Sequence, residues 1–122
     1  MDTMEQDCTI YQTANFIGKR WTLLILLELY KGTSECKRYS ELKKSLPDIT
    51  SKILAARLRE LEKENLIIKK VDSSTVPIRS EYTLTKSGKD FIHIIEDMKE
   101  WALKWKMRNL ICTKTNCKEC QF

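Results

Sequence analysis

The sequence predicts a mainly α-helical domain that carries a small antiparallel β hairpin. Within residues 39–88, YSELKKSL has helical spacing, LPDIT supplies a turn around Pro47, and SKILAARLRELEKEN resumes helical spacing at once. Two β-prone runs follow, LIIKKVDS and SEYTLT, and the segment around Pro77 between them cannot continue either strand. Helix, turn, basic helix and hairpin in this order are typical of a winged helix-turn-helix, whose second helix reads DNA.

Two helices are predicted ahead of this unit. Residues 8–18 repeat apolar side chains at helical spacing and end at Gly18, where the backbone can turn. Residues 21–32, WTLLILLELYKG, are apolar around most of a helix, which predicts that this helix lies at the centre of the core. The polar residues 33–37, TSECK, are expected to form a loop.

The second helix of the helix-turn-helix has two faces. Leu54, Leu58 and Leu61 repeat at i, i+4 and i+7 and predict the buried face. The opposite side consists of small and basic residues, namely Lys52, Ala56, Arg59 and Lys63, with Ser51 and Ala55 flanking them. Small residues let the backbone approach base edges, and basic residues can donate hydrogen bonds to bases or phosphates. Asn65 follows where a left-handed residue is expected, so the helix should end there.

A long helix should begin near Ser87. It carries an apolar stripe of about four turns, made of Phe91, Ile94, Ile95, Met98, Trp101, Ala102 and Trp105. A stripe of this length exceeds what a small core can cover, which favours packing against a partner helix and predicts a homodimer. His93 falls on the opposite side and is expected to be a solvated surface residue.

Composition and charge agree with a small binding protein. The chain has 122 residues, of which 42% are hydrophobic, enough for one core. Its net charge is +5, and residues 37–89 contain 13 Lys or Arg against 7 Asp or Glu. The basic excess therefore coincides with the predicted DNA-binding unit and favours a polyanionic partner.

The sequence also predicts a cytoplasmic location. The longest apolar run, residues 23–27, stops at Glu28, far short of the roughly 20 residues that span a membrane. The start, MDTMEQD, is acidic and lacks the basic-then-apolar order of a signal peptide. Five cysteines in such a chain favour reduced thiols, metal ligation or redox sensing over a disulfide framework. We expect one domain, residues 1–109, followed by a cysteine-containing tail, residues 110–122.

Several motifs give the chain a family resemblance. They are Cys8, IGKRW at residues 17–21, RYSEL at residues 38–42, Pro77, Arg79, EYTLT at residues 81–85, and Gly88. Over nearly all of residues 8–105 the chain resembles the HxlR family of winged-helix transcriptional regulators. It departs from the family pattern at Thr9, where proline is usual, and at Lys19 and Asn65, where glycine is usual. The loop before RYSEL, which contains Cys36, is longer than the family norm, and the tail is not covered.

The resemblance implies a dimer that places two recognition helices in successive major grooves and each wing in a flanking minor groove. The residues expected to contact DNA are Arg38, Tyr39, Thr50, Ser51, Lys52, Ala55, Ala56, Arg59 and Arg79. Arg79 occupies the wing position, where its charge suits the negative potential of a narrow minor groove. Pairing of Arg79 with a surface carboxylate is the alternative.

The cysteines suggest where a signal enters. In the tail, Cys117 and Cys120 have the spacing of a zinc or iron–sulfur half-site, and Cys112 can add a third thiolate. A redox pair without metal and three inert thiols are the alternatives. Cys8 is a separate redox candidate, because the cysteine at this position is reactive in several members of the resembled family; inert packing is its alternative.

These features favour a sequence-specific DNA-binding regulator controlled by thiol redox state, metal or a small effector. The sequence has no Ser/His/Asp or Cys/His arrangement and no glycine-rich phosphate loop, so it is not expected to be an enzyme. Two other functions stay open: a winged-helix protein-interaction module, and a metal or redox sensor whose output is the cysteine tail.

Overall fold

The computed structural model describes residues 8–120 and confirms the predicted architecture. The acidic start of the chain, on which the expectation of no signal peptide depends, lies outside these residues. The helices are α1 Thr9–Ile17, α2 Thr22–Tyr30, α3 Tyr39–Ser45, α4 Ser51–Lys63, α5 Lys86–Trp105 and α6 Leu110–Lys114, followed by a 3₁₀ helix, Cys117–Glu119. The strands are β1 Lys37–Arg38, β2 Ile67–Asp72 and β3 Arg79–Leu84. None of the helices in the described part is long and apolar enough to cross a membrane.

The sheet has one strand more than the predicted hairpin. β2 and β3 pair antiparallel from Ile67 opposite Leu84 to Asp72 opposite Arg79, as predicted for the wing. Lys37, the first residue of β1, was expected to belong to a polar loop. β1 instead pairs with the other edge of β3. Two residues are too few to show a strand period, so this pairing arises from the free edge of the hairpin and not from local propensity.

Lys37 joins β1 to the end of α2. Its ammonium group donates to the backbone carbonyls of Leu29, at 3.3 Å, and Lys31. These carbonyls belong to the last turn of α2 and its cap, where a helix has unpaired acceptors and a partial negative charge. Burial lowers the pKa of Lys37 below its ordinary value. The contact fixes the start of the helix-turn-helix relative to the central helix.

The core forms between α2, the helix-turn-helix, the hairpin and α5. The three leucines predicted to face inward from α4 are buried, and Leu42 of α3 is buried with them. α2 contributes Ile25, Leu26 and Leu29, but Leu24 on its other side is 47% exposed. The expectation that α2 is buried around most of its circumference is therefore met on one side only within this domain. Its other side faces the C-terminal tail.

One junction connects α4, β2 and α5. We call it the Asn65 junction and define it by Asn65, Leu66, Thr85, Ser87 and Gly88. Asn65 has φ 64°, the left-handed conformation predicted for it. Its carbonyl oxygen accepts hydrogen bonds from the hydroxyls of Thr85, at 2.6 Å, and Ser87, at 2.8 Å. The Thr85 hydroxyl also caps α5 by accepting from the Gly88 N–H at 3.1 Å.

Gly88 is required at this junction for a steric reason. A Cβ atom at this position would lie 2.2 Å from the carbonyl oxygen of Leu66. That oxygen also accepts from the backbone N–H of Thr85 at 3.0 Å, so it cannot move away without loss of a hydrogen bond.

We therefore expect Gly88→Ala to lower the free energy of unfolding by about 3 kcal/mol, the upper end of the usual cost of overpacking. Lys86→Ala, an exposed change in the same helical turn, should alter it by no more than about 0.5 kcal/mol. Urea unfolding followed by circular dichroism at one fixed protein concentration measures both. Equal stability of the two variants would contradict the close approach of α5 to Leu66.

Candidate nucleic-acid interface

The orientation of α4 is fixed by contacts at its N-terminus. The Tyr39 hydroxyl, at the start of α3, donates to the backbone carbonyl of Ser51 at 2.9 Å. Thr50 caps α4, because its hydroxyl accepts from the Ile53 N–H at 3.2 Å. In the turn between the helices, Ile49 is 2% exposed and anchors the chain in the core. Tyr39, predicted to contact DNA, is half-buried and connects α3 to α4 through this hydrogen bond.

The predicted reading face of α4 is on the surface of the domain. Ser51, Lys52 and Arg59 are exposed, and Ala55 and Ala56 between them are half-buried. The N-terminus of α4, where backbone N–H groups lack helical partners, lies at the same end as Lys52. A helix N-terminus with an adjacent lysine favours the binding of a phosphate.

A cleft connects the wing to the helix-turn-helix. This wing cleft has a volume of about 490 Å³. It is lined by Arg38, Tyr39 and Ser40 on one side and by Pro77, Ile78, Arg79 and Ser80 on the other. The predicted contacts Arg38 and Arg79 are thereby brought together. Ser40, Ile78 and Ser80 were missed, because their place in the cleft depends on the pairing of β1 with β3.

Arg79 is exposed at the start of β3, opposite Asp72 of β2. The Asp72 carboxylate accepts from the hydroxyl and the backbone N–H of Ser74. These hydrogen bonds, and to a lesser degree the positive charge of Arg79, hold the pKa of Asp72 below its ordinary value. Among residues 8–120, no ion pair within 4.0 Å involves Arg79. Arg79 thus lines the wing cleft as an exposed residue.

Arg57, two residues before Arg59, has a structural role that the sequence did not indicate. Its guanidinium donates to the backbone carbonyl of Arg20 at 3.2 Å and lies 3.1 Å from the Glu60 carboxylate. Lys19 also pairs with Glu60, at 3.0 Å. α4 is therefore attached to the turn between α1 and α2, which contains the IGKRW motif.

The IGKRW turn itself requires particular residues. A Cβ atom on Gly18 would lie 2.6 Å from the carbonyl oxygen of Ala14. Trp21 has φ 82°, in the left-handed region, and packs partly against the core. The Arg20 guanidinium lies 4.8 Å from the centre of the Trp21 ring. These contacts explain the motif as a structural element of the turn that holds Arg57.

The apolar stripe of α5 divides into two faces. Ile95 is 9% exposed in the core, and Phe91 packs against it. Ile94, Met98, Trp101 and Trp105 are exposed at successive helical turns, with Trp105 67% exposed. Ala102 is half-buried on the side of the tail. Part of the predicted dimer surface thus belongs to the domain's own core, because the stripe wraps around the helix.

His93 is on the surface, as predicted. Its ring nitrogen lies 3.6 Å from the Glu96 carboxylate one turn later.

The tail cysteines, for which the sequence left a metal half-site, a redox pair and inert thiols open, lie around a cavity in the described structure. Within residues 8–120, no group of three or more Cys, His, Asp or Glu side chains is arranged to hold a metal ion. Cys112, Cys117 and Cys120 are instead distributed around one cavity. Cys36 is half-buried, and Cys8 is exposed at the N-cap of α1. Spacing alone could not distinguish these arrangements, because the path of the tail depends on its contacts with α2 and α5.

An exposed basic helix after a tight turn, with a β wing beside it, defines the class of winged-helix regulators. The HxlR-like helix-turn-helix family model matches residues 16–110. Putative regulatory protein MalR of Fusobacterium mortiferum is 42% identical over 95 residues, which cover 78% of this chain and 87% of that protein. The chain belongs to the HxlR-like helix-turn-helix family. This family and fold are those of transcriptional regulators and not of enzymes.

Solved structures of regulators show the same fold. The reduced form of YodB from Bacillus subtilis superimposes with a TM-score of 0.70 at 32% identity, covering 84% of this chain and 97% of that chain. The quinone-bound form of YodB gives a TM-score of 0.67 at 30% identity, with coverages of 80% and 99%. The redox regulator HypR in its oxidized form gives a TM-score of 0.69 at 31% identity, with coverages of 84% and 100%.

The two arginines of α4 should differ in their effect on stability. Arg57→Ala removes a hydrogen bond and an ion pair, and should lower the free energy of unfolding by about 1–2 kcal/mol after allowance for the partly exposed Glu60. Arg59→Ala, a matched loss of charge on the exposed face, should change it by no more than about 0.5 kcal/mol. Urea denaturation compares them. A larger loss for Arg59→Ala would contradict the assigned roles.

Proposed function

We propose that this transcriptional regulator binds specific DNA sequences as a homodimer in the cytoplasm. The observation that carries the proposal is the adjacency of two basic surfaces. Tyr39 lines the wing cleft, and its hydroxyl donates a hydrogen bond to the backbone carbonyl of Ser51 at the start of α4. The cleft with Arg38 and Arg79 therefore continues into the exposed face of α4. Basic residues on a groove-reading helix and on a wing beside it match the phosphate backbone and grooves of a duplex.

The parts have different roles in this proposal. α4 enters the major groove, where Lys52 and Arg59 donate to base edges or phosphates and Ala55 and Ala56 allow a close approach. Ser51 and Thr50 lie at the end of α4 that faces the phosphate backbone. Arg79 extends into the adjacent minor groove, whose negative potential stabilises its charge.

The homodimer is supported by α5. Ile94, Met98, Trp101 and Trp105 form a stripe along α5 that is about half exposed or more. Two aromatic residues in such a stripe are typical anchors of a protein interface. A dimer holds two reading heads at one distance, so that binding of the first raises the effective concentration of the second. In this scheme residues 1–109 bind DNA and dimerise, and residues 110–122 form the cysteine-containing tail.

Control by thiol chemistry is part of the proposal. Two structural neighbours are described as a redox regulator in its oxidized form and as a quinone-bound regulator. In this chain Cys8 is the candidate sensor, because it is exposed and stands at the N-cap of α1. α1 buries none of its residues completely within the described chain, so a change at Cys8 can move it at low cost.

A winged-helix docking module is the second candidate function. A docking module would have the same fold and the same exposed stripe, but docking does not explain why Arg38 and Arg79 line one cleft. The two functions differ in their response to salt. DNA binding through Lys and Arg releases counterions and weakens steeply as salt rises, whereas a largely apolar docking interface does not.

Arg79→Ala should weaken DNA binding by about 1–3 kcal/mol, the range of a good groove contact. The dimer should stay intact, because Arg79 lies on the wing and not on α5. Arg108→Ala removes the same charge outside the helix-turn-helix and is the matched control, expected to leave affinity nearly unchanged. Fluorescence anisotropy with a labelled operator fragment measures both. Equal affinities of the two variants would remove the wing from the mechanism.

Trp105→Ala should raise the dimer dissociation constant by about tenfold or more, since an interface anchor contributes at least about 1.4 kcal/mol. Weaker DNA binding should follow as a consequence. Glu100→Ala on the same helix is the control. Analytical ultracentrifugation over a concentration series gives the constants. An unchanged dissociation constant for Trp105→Ala would show that the dimer forms through another surface.

A further inference from the structure

A second concave site shares no residue with the wing cleft and lies between α2, α5 and the tail. We call it the tail cavity. Its volume is about 520 Å³, within the range of small-molecule sites. Its two helical walls are apolar and comprise Leu23, Leu24 and Leu27 of α2 and Ile95, Met98 and Ala102 of α5. This is the side of α2 that the domain core leaves uncovered, since Leu24 is 47% exposed.

The tail is held beside these helices by specific contacts. The Gly32 N–H donates to the carbonyl of Lys118 at 2.9 Å, and the Lys118 ammonium group donates to the carbonyl of Tyr30 at 2.9 Å. That ammonium group also lies 4.7 Å from the centre of the Tyr30 ring. On the other side, Lys99 of α5 donates to the Thr115 carbonyl at 2.6 Å. The tail is therefore attached to both α2 and α5 and forms the third wall of the cavity.

The charged groups that line the tail cavity already have partners. They are the ammonium groups of Lys31 and Lys99. The first lies 2.9 Å from the Glu28 carboxylate, and the second is the donor to the Thr115 carbonyl. No carboxylate is among the lining residues found in the described chain. A charged ligand would lose its hydration there without gaining an unpaired counter-charge, which is costly, so the site favours an uncharged ligand.

Sulfur is the other feature of the lining. Met98 contributes a thioether, and Cys112, Cys117 and Cys120 contribute thiols and are half-buried. Methionine sulfur makes favourable contacts with aromatic rings, its unbranched side chain adapts to irregular shapes, and thiols pack as small hydrophobic groups. The lining therefore favours aromatic rings over a polar or charged ligand.

We propose that the tail cavity binds an uncharged aromatic compound of two or three rings, held by packing alone. The apolar walls of α2 and α5 cover its rings and remove their surface from water, which is the main source of affinity. No covalent bond to the protein forms. The third wall consists of residues beyond position 110, where the family match ends, so the closed cavity depends on the tail of this chain.

Occupancy of the cavity has a consequence for α5. Met98 lines the cavity and also belongs to the exposed stripe. A ligand that packs against Met98 therefore alters the surface through which the proposed dimer forms. This regulation rests on the proposed function, whereas binding at the cavity does not.

Two dyes that differ only in charge test the site on the free protein. N-phenyl-1-naphthylamine is uncharged, and 1-anilinonaphthalene-8-sulfonate has the same rings with an added sulfonate group. The fluorescence of both increases on transfer to an apolar site, so a titration gives a dissociation constant for each. The uncharged dye should bind one molecule per chain, with a dissociation constant lower by about tenfold or more, equivalent to about 1.4 kcal/mol. Equal or tighter binding of the sulfonate would overturn the proposal.

A pair of variants locates the bound dye. Leu24→Asn makes one wall of the cavity polar and should raise the dissociation constant of the uncharged dye by about tenfold. Ile94→Asn is the control, because it makes a similarly exposed position of the stripe polar outside the cavity, and it should leave the constant nearly unchanged. Circular dichroism checks the helical content of both. A larger effect of Ile94→Asn would place the dye on the stripe and overturn the proposal.

Hydrogen exchange followed by mass spectrometry needs no variant. The uncharged dye should slow the exchange of backbone amides in residues 22–32 and 110–120, which surround the cavity, and leave the wing, residues 67–84, unchanged. Absence of protection in the tail would overturn the proposal even if Leu24→Asn failed to fold.

A second copy of the chain is the competing occupant of the cavity. Titrations of the uncharged dye at two protein concentrations distinguish the two, and the proposal expects the same dissociation constant at both. Affinity that falls as the protein concentration rises would show that a second copy covers the cavity, and would overturn the proposal. Because no DNA is present, none of these results depends on whether the protein binds DNA as proposed.

Discussion

The close approach of α5 to the end of α4 is the constraint on which the rest of the structure depends. Asn65 has the left-handed conformation and reverses the chain after α4. Its carbonyl oxygen accepts hydrogen bonds from the hydroxyls of Thr85 and Ser87 at the start of α5. Gly88 lets the backbone of α5 come against Leu66 without a steric clash. α4 and the helix with the exposed aromatic stripe thus meet at one closely packed point. In the proposed function this contact couples a shift of α5 to α4, because packed interiors resist deformation.

The basic residues divide by what surrounds them. Arg57 and Lys37 donate hydrogen bonds to backbone carbonyls. Arg57 thereby attaches α4 to the turn between α1 and α2, and Lys37 attaches β1 to α2. Arg59 and Arg79 have exposed guanidinium groups and no ion pair within residues 8–120. Charged groups of the first kind contribute to stability through satisfied hydrogen bonds, whereas those of the second kind keep their charge available for a polyanion. Net charge alone therefore overstates the number of residues that serve binding.

Local signals predicted most of the fold. Leucine spacing in α4, the left-handed Asn65 and the hairpin around Pro77 each depend on neighbouring residues, and each is confirmed. β1, the wing cleft and the anchoring role of Arg57 depend on contacts between distant segments, which no short pattern encodes. The arrangement of the tail cysteines could not be predicted from their spacing for the same reason, because the contacts of Lys118 and Lys99 determine the path of the tail. The stripe of α5 was located correctly, but its division between core and surface needed the position of α2.

The central claim is that two copies of this chain read DNA together through α4 and the wing. Selection of bound fragments from a random DNA pool with the purified protein tests it most directly, because neither an operator nor an effector needs to be known. The account predicts enrichment of an inverted repeat whose half-sites lie about one helical turn, roughly 10 bp, apart. Recovery of fragments with no shared sequence, at the level of non-specific binding, would contradict it.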